Sequence, residues 1–360
     1  MKIAKKILKI FLIALASLII LFFLVMGISR AINYSKHKIR SSDGIDKGEF
    51  ITLGNMEQYI RIRSENRNSP VIIYLHGGPG SPDSYVSYVF ADYLDEDYTM
   101  VFWDQRGSGR TYEHNVKTDP DNNTVSFEQS LTDLDELVDM MCERFGQDKV
   151  VIMGHSYGSL LGGNYVYRHP EKVSHYIGVG QSVYFPDGEQ RSFEDAMEQA
   201  KAAGDDTSEI EAAWNEYHAD MSDFKKMLPV RNYTYKYHTA PKQANQMWLG
   251  ISSPYMGIAD LRYFMRQMNI DGFLKLQDEL MHNLAHDINM NQLTDYKLPV
   301  DLIMGQYDWT CPTVCAQEYL EKISAPEKGF HIIDGCGHSP QFDDPESFAQ
   351  IVKNIIRDKY

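Results

Sequence analysis

Ser156, Asp308 and His338 are the residues of this chain whose types and order could carry covalent chemistry. A serine hydroxyl is a poor nucleophile at neutral pH. It needs a base within hydrogen-bond reach, and that base needs a carboxylate to fix its tautomer. Ser156 lies in Gly154-His155-Ser156-Tyr157-Gly158, after the apolar run Lys149-Val150-Val151-Ile152-Met153 and before the small-residue helical pattern Ser159-Leu160-Leu161-Gly162-Gly163. Strand, Gly-x-Ser-x-Gly, helix is the context of a nucleophile elbow, a turn so tight that side chains two residues either side of the serine would collide. Asp308 follows an apolar run in Gly305-Gln306-Tyr307-Asp308-Trp309, and His338 follows another in Gly335-Cys336-Gly337-His338-Ser339. Both loops leave the carboxyl ends of strands, where open α/β sheets place their sites. The expected roles are Ser156 as nucleophile, His338 as base and Asp308 as its orienting acid. Asp334, Asp343 and Asp344, near His338, read as turn or cap residues.

An attacked carbonyl develops negative charge that backbone N–H groups must meet. Tyr157, beside the nucleophile at a helix start, is one expected donor. The other comes from His76-Gly77-Gly78-Pro79-Gly80, with Gly78 preferred and Gly77 in reserve. His282 and His286 stand four apart on a helical stretch but lack a third ligand, so no metal is expected, and the chemistry needs no cofactor.

The elements that must position these groups are legible as alternation. Short strand patterns occur at 49–53 and 59–63, and continuous apolar runs at 70–75, 98–103, 149–153, 174–179, 299–304 and 329–333 suit strands buried on both faces. Helical spacing appears at 84–94, at 126–145 behind a capping box at Ser126, at 314–323 and at 345–357. Residues 185–293 break the rhythm with Met-, Tyr- and acid-rich helical patterning. A mostly parallel sheet flanked by helices, with a helical lid inserted late, follows from this order. The division expected is a core at 47–184 and 294–360 with the lid at 185–293 between its halves.

Ile10 to Ile28 is apolar without a charge, nearly enough to cross a hydrocarbon layer about 30 Å thick at about 1.5 Å per residue. It is longer than a signal-peptide core and no cleavage site follows, so residues 1–28 read as a basic segment and transmembrane anchor. Residues 29–46 read as a structureless polar stalk. Lys2, Lys5, Lys6 and Lys9 would hold the first end in the cytoplasm and leave the body outside. Arg30, Lys36, Lys38 and Arg40 would lie against anionic headgroups. The formal net charge is -15, and residues 1–40 hold eight bases and no acid, so the body is more acidic still. That argues against nucleic-acid binding, which needs basic surface. Of Cys142, Cys311, Cys315 and Cys336, all read as packed thiols, with a bridge from Cys336 to Cys311 or Cys315 open because Asp308 and His338 must meet.

His76-Gly77-Gly78-Pro79-Gly80, Trp103-Asp104-Gln105-Arg106-Gly107-Ser108-Gly109-Arg110-Thr111 and the elbow together resemble the proline iminopeptidase family of α/β-hydrolases. Gly305-Gln306-Tyr307-Asp308 with Cys311-Pro312, and Gly337-His338-Ser339, extend the resemblance over residues 47–360. The resemblance implies release of an N-terminal residue, often proline, from small peptides, with the free amine held by lid acids. Glu189 is the first choice for that contact, ahead of Glu194, Glu198, Glu209, Glu211 and Glu216. Family members often carry Gly-Gly-Ser-Trp-Gly at the elbow, whereas His155 and Tyr157 stand here, a difference that touches the substrate pocket. An esterase or acylhydrolase would use the same three residues, with Trp214, Tyr233, Tyr235, Tyr237 and Trp248 available to line an acyl pocket. A non-catalytic binding protein on this fold would have no reason to keep all three.

Overall fold

The computed structural model describes residues 2–357. The chain opens with helix α1 (Lys2–His37), followed by strands β1 (Ile45–Leu53), β2 (Met56–Ser64) and β3 (Val71–Leu75). Next come α2 (Tyr88–Ala91), β4 (Thr99–Asp104), α3 (Gly109–Asn115), α4 (Phe127–Phe145), β5 (Val150–His155), α5 (Tyr157–Arg168) and β6 (Val173–Val179). Seven helices intervene: α6 (Phe185–Ala203), α7 (Ser208–His218), α8 (Phe224–Thr234), α9 (Gln246–Ile251), α10 (Ile258–Met268), α11 (Ile270–Leu276) and α12 (Asp278–His286). The chain then completes the sheet with β7 (Val300–Gly305), α13 (Thr313–Lys322), β8 (Lys328–Ile333), α14 (Pro340–Asp343) and α15 (Pro345–Ile356).

The eight strands form one sheet in the order β1-β2-β4-β3-β5-β6-β7-β8. β1 and β2 pair antiparallel, β2 meets β4 antiparallel, and every pairing from β4 to β8 is parallel. Parallel strands need crossovers that cover both faces, which is why the inner strands are mostly apolar and almost wholly buried. Their alternating side chains feed two cores. Ile73, Leu75 and Ile152 join α4 and α5 on one face. Ile72, Tyr74, Val151 and Met153 join Phe90, Phe348 and Val352 of α2 and α15 on the other. The fold class read from the sequence is therefore the one found, and β5 sits centrally with its carboxyl end beside those of β3 and β6.

Two local expectations are corrected. The polar stretch after the apolar span is not structureless, because α1 continues to His37 and then docks on the body. Arg30 Nε donates to Ile251 O at 3.0 Å, Asn33 Nδ2 to Ser252 O at 2.9 Å, and Arg63 Nη2 to His37 O at 2.9 Å. These contacts give helical polar residues a tertiary partner that a sequence pattern does not reveal. The stretch 84–94 contains only the four-residue α2, because the backbone there closes tight turns (Val86 N to Asp83 O, Val89 N to Val86 O). At α4, the Ser126 side chain does accept from Gln129 N, and the Gln129 amide turns to Asp133.

Candidate active site

β5 ends at His155 and α5 begins at Tyr157, so Ser156 alone makes the turn, with φ 55° and ψ -121°. A non-glycine residue held there costs about 1–3 kcal/mol and persists only where its surroundings fix it. The flanking glycines are steric necessities. A Cβ on Gly154 would fall 2.3 Å from Gly158 O, and one on Gly158 would fall 2.2 Å from Leu75 O. The Ser156 amide donates to Val179 O at 3.0 Å, tying the turn to the end of β6.

Asp308 and His338 leave the ends of β7 and β8 and meet. His338 Nδ1 lies 3.0 and 2.9 Å from the two oxygens of a fully buried Asp308 carboxylate. Asp308 Oδ1 also accepts from the amides of Thr310 (3.0 Å) and Cys311 (2.8 Å), which fixes the carboxylate's plane. A ring that donates from Nδ1 keeps Nε2 as an acceptor, the form a general base requires. The elbow and the His338 loop touch through His155, whose Nε2 donates to His338 O at 2.9 Å with ring centroids 4.9 Å apart. Burial, then the electrostatic effect of the neighbouring His338 ring, pushes His155 down to about 3, so it stays neutral. Sequence reasoning assigned His155 only to the elbow and missed this brace.

The loop after β3 approaches Ser156 through Gly77. A Cβ at Gly77 would fall 2.9 Å from that of Ser156. Gly78 follows with φ 116° and a cis bond to Pro79. His76 anchors this loop, with Nδ1 donating to Gly77 O at 2.8 Å and Nε2 accepting from the Gln105 amide at 3.3 Å. Burial holds His76 down at about 4, so this neutral tautomer persists. Gln105 returns a bond from Nε2 to His76 O at 3.1 Å. Arg106 is pinned by both oxygens of buried Asp133 (2.7 and 3.0 Å) and by Leu53 O and Gly54 O. The Asp-Gln-Arg-Gly segment thus stiffens the loop beside Ser156 and puts no charge into the site.

Cys311 packs against the hydroxyls of Ser156 and Ser182, and burial, with Asp308 next, pushes its thiol pKa far up. Cys336 belongs instead to the core beneath α15. All four cysteines are free thiols, so the bridge left open from Cys336 to Cys311 or Cys315 does not form.

A cavity of about 330 Å³ opens beside His338, lined among others by Tyr235, Ala240, Gln246, Tyr307, Trp309 and Asp343. Segment 240–244 seats on the His338 loop: Lys242 N donates to Gly335 O at 2.8 Å and Ala244 N to Asp343 Oδ1 at 2.9 Å. Glu189 is buried on α6, in an ion pair with Arg231 of α8 and within 3.4 Å of the Tyr217 hydroxyl. Arg231 itself lines the cavity, a residue sequence reasoning did not single out. Of the other acids considered, Glu194 and Glu211 are exposed, with Glu194 receiving Gln190 and Glu211 receiving Thr207. Among the described residues no cluster of three or more His, Cys, Asp or Glu is arranged to hold a metal ion.

The model of the alpha/beta hydrolase fold family matches residues 70–345. A probable aminopeptidase of Bacillus subtilis is 23% identical over 316 residues, covering 85% of this chain and 95% of that protein. A proline iminopeptidase of Xylella fastidiosa is 26% identical over 296 residues, covering 76% of this chain and 85% of that protein. Among solved structures, a proline iminopeptidase-related protein of Thermus thermophilus superposes with a TM-score of 0.59 at 22% identity, covering 87% of this chain and 98% of that one. A membrane phospholipase A superposes with a TM-score of 0.61 at 15% identity, covering 97% and 96%. At those identities the superpositions speak for the fold alone. The chain belongs to the alpha/beta hydrolase fold family, and the two curated relatives above are a probable aminopeptidase and a proline iminopeptidase.

Proposed function

We propose that this protein is a membrane-anchored serine hydrolase of the aminopeptidase type, releasing N-terminal residues from small peptides through an acyl-enzyme. The observation that carries the reading is the doubly bonded His338–Asp308 pair at the sheet edge that also presents Ser156 on its strained turn. In this reading Ser156 Oγ attacks the scissile carbonyl while His338 Nε2 takes its proton, and buried Asp308 stabilises the imidazolium. The backbone N–H groups of Tyr157 and Gly78 receive the oxyanion, with Gly77, nearer to Ser156, as the alternative donor. His338 then protonates the departing amine, and a water activated by the same ring releases the acyl group. Every proton moves between groups of the chain, substrate and water, so the scheme calls for no cofactor. α1, whose apolar stretch is long enough to cross a membrane, would anchor the body, with the basic first residues holding the amino end inside and the hydrolase outside.

Glu189 is the proposed contact for the substrate ammonium, sharing its charge with Arg231. A second reading, an acylhydrolase, is favoured by the cavity itself: among its described lining residues the only carboxylate is Asp343, and Tyr235, Tyr307 and Trp309 make its walls aromatic. Turnover of Pro- and Ala-arylamides against short and long acyl esters separates the two. The aminopeptidase reading expects arylamide cleavage, with Glu189→Gln raising KM for arylamides about tenfold, the loss of one charge-assisted bond, and leaving esters unaffected. Cleavage of esters alone would replace it with the second reading.

A further inference from the structure

Helix α10 has two unlike faces. Its inner face is tied down: Asp260 takes Arg110 Nη2 at 2.7 Å and Nε at 2.8 Å, and buried Tyr263 packs at a tilt against Tyr112 and donates to Gly80 O at 2.9 Å. Its outer face carries Ile258, Leu261, Met265 and Met268, which are 71%, 52%, 57% and 66% exposed. Their spacing of i, i+3, i+7, i+10 makes a single stripe along the helix. On α9, only a few residues earlier, Met247 and Trp248 are likewise exposed. Single exposed apolar side chains are ordinary, but a four-residue stripe, with two more exposed apolar side chains on the preceding helix, calls for a partner.

The position of α1 says which partner. Arg30 and Asn33 bond the carbonyls of Ile251 and Ser252, where α9 ends. At about 1.5 Å per residue they stand only about 3 and about 8 Å along the helix from Ile28, the last residue of the uncharged span. The interfacial layer on each side of a bilayer is about 5–8 Å deep. The end of α9 is thereby held at headgroup depth whenever Ile10–Ile28 spans. Arg262 is exposed on α10 next to the stripe, and Lys36, Lys38 and Arg40 stand at the end of α1, where anionic headgroups would meet them.

We propose that α9 and the outer face of α10 lie in the headgroup–acyl boundary of the bilayer that α1 spans, giving the body a second, monotopic membrane contact. This inference rests on the membrane reading under Proposed function. Apolar burial by the stripe, with basic residues beside it, is the usual chemistry of an interfacial helix. Gln246, the first residue of α9, lines the cavity beside His338, so docking places one wall of that cavity next to the lipid surface.

The test uses the full chain reconstituted in phosphatidylcholine–phosphatidylglycerol vesicles, with and without bromine on the acyl chains near the headgroup. Trp248 is the exposed indole, whereas Trp103 and Trp214 are buried and Trp309 lines the cavity. The proposal expects brominated lipid to reduce tryptophan emission, Trp248→Phe to abolish that reduction, and Leu261→Asp with Met265→Asp to weaken it while fluorophosphonate labelling stays intact. A chain that survives an alkaline carbonate wash yet shows no bromine quenching would overturn the docking and leave the anchor standing. Quenching that persists in Trp248→Phe would also overturn it. Release of the chain by the wash would remove the anchor reading, and this inference with it.

Discussion

The hydroxyl of Ser156 reaches the sheet edge because its backbone is held at a positive φ that a serine seldom adopts. Val179 O, the Ser159 hydroxyl on Ser156 O and the two glycines at Gly154 and Gly158 over-determine that conformation. Asp308 is as firmly placed, with two amides on one oxygen and the imidazole across both. Asp308→Asn would keep the volume but offer His338 Nδ1 an amide, favouring the wrong tautomer. We expect kcat to fall on the order of 10⁴-fold with KM little changed, measured on whichever ester or arylamide the protein turns over. A loss under tenfold would remove Asp308 from its role. The sequence singled these residues out because chemistry restricts their types and chain order, and the structure joins two of them, Asp308 and His338. Their supports were not singled out: Arg231 stands 42 positions from Glu189, and no local pattern announces a buried ion pair at that distance.

At the scale of elements, the strands were readable because apolar continuity and β-branching mark a buried parallel sheet, and the eight expected runs correspond to β1–β8 within a few residues. Elements fixed by tertiary contact were not readable. α1 runs past its apolar span because Arg30, Asn33 and His37 find partners on α9 and β2. The short α2 owes its form to the turn at Asp83, which receives the Tyr74 hydroxyl of β3 at 3.0 Å. Burial raises that carboxyl to about 7, with the Tyr74 bond opposing and Asp104 adding to the rise. A carboxyl raised in the folded state contributes stability that is full below the unfolded value near 3.8 and is lost as pH climbs through about 7. Asp83→Asn removes the charge at every pH. Its stability relative to the parent chain is therefore expected to rise between pH 5 and pH 8 by roughly 1–3 kcal/mol, read by denaturant titration at both. A difference independent of pH would show that Asp83 ionises normally in the folded protein.

For the whole molecule, strand order, loop lengths and one inserted helical block converge on a single rim. β3 brings the glycine loop, β5 Ser156, β7 Asp308 and β8 His338, and the segment before α9 caps the His338 loop. The Asp-Gln-Arg-Gly segment braces that rim from β4 through Arg106 and Asp133. The central claim is that this rim makes Ser156, among all the serines of the chain, a nucleophile. Its most direct measurement is intact-mass and peptide mapping of the full chain after reaction with a fluorophosphonate. The account predicts one covalent adduct, on the peptide holding Ser156, abolished together with turnover by Ser156→Ala. An adduct on another residue, or undiminished turnover in Ser156→Ala, would contradict it.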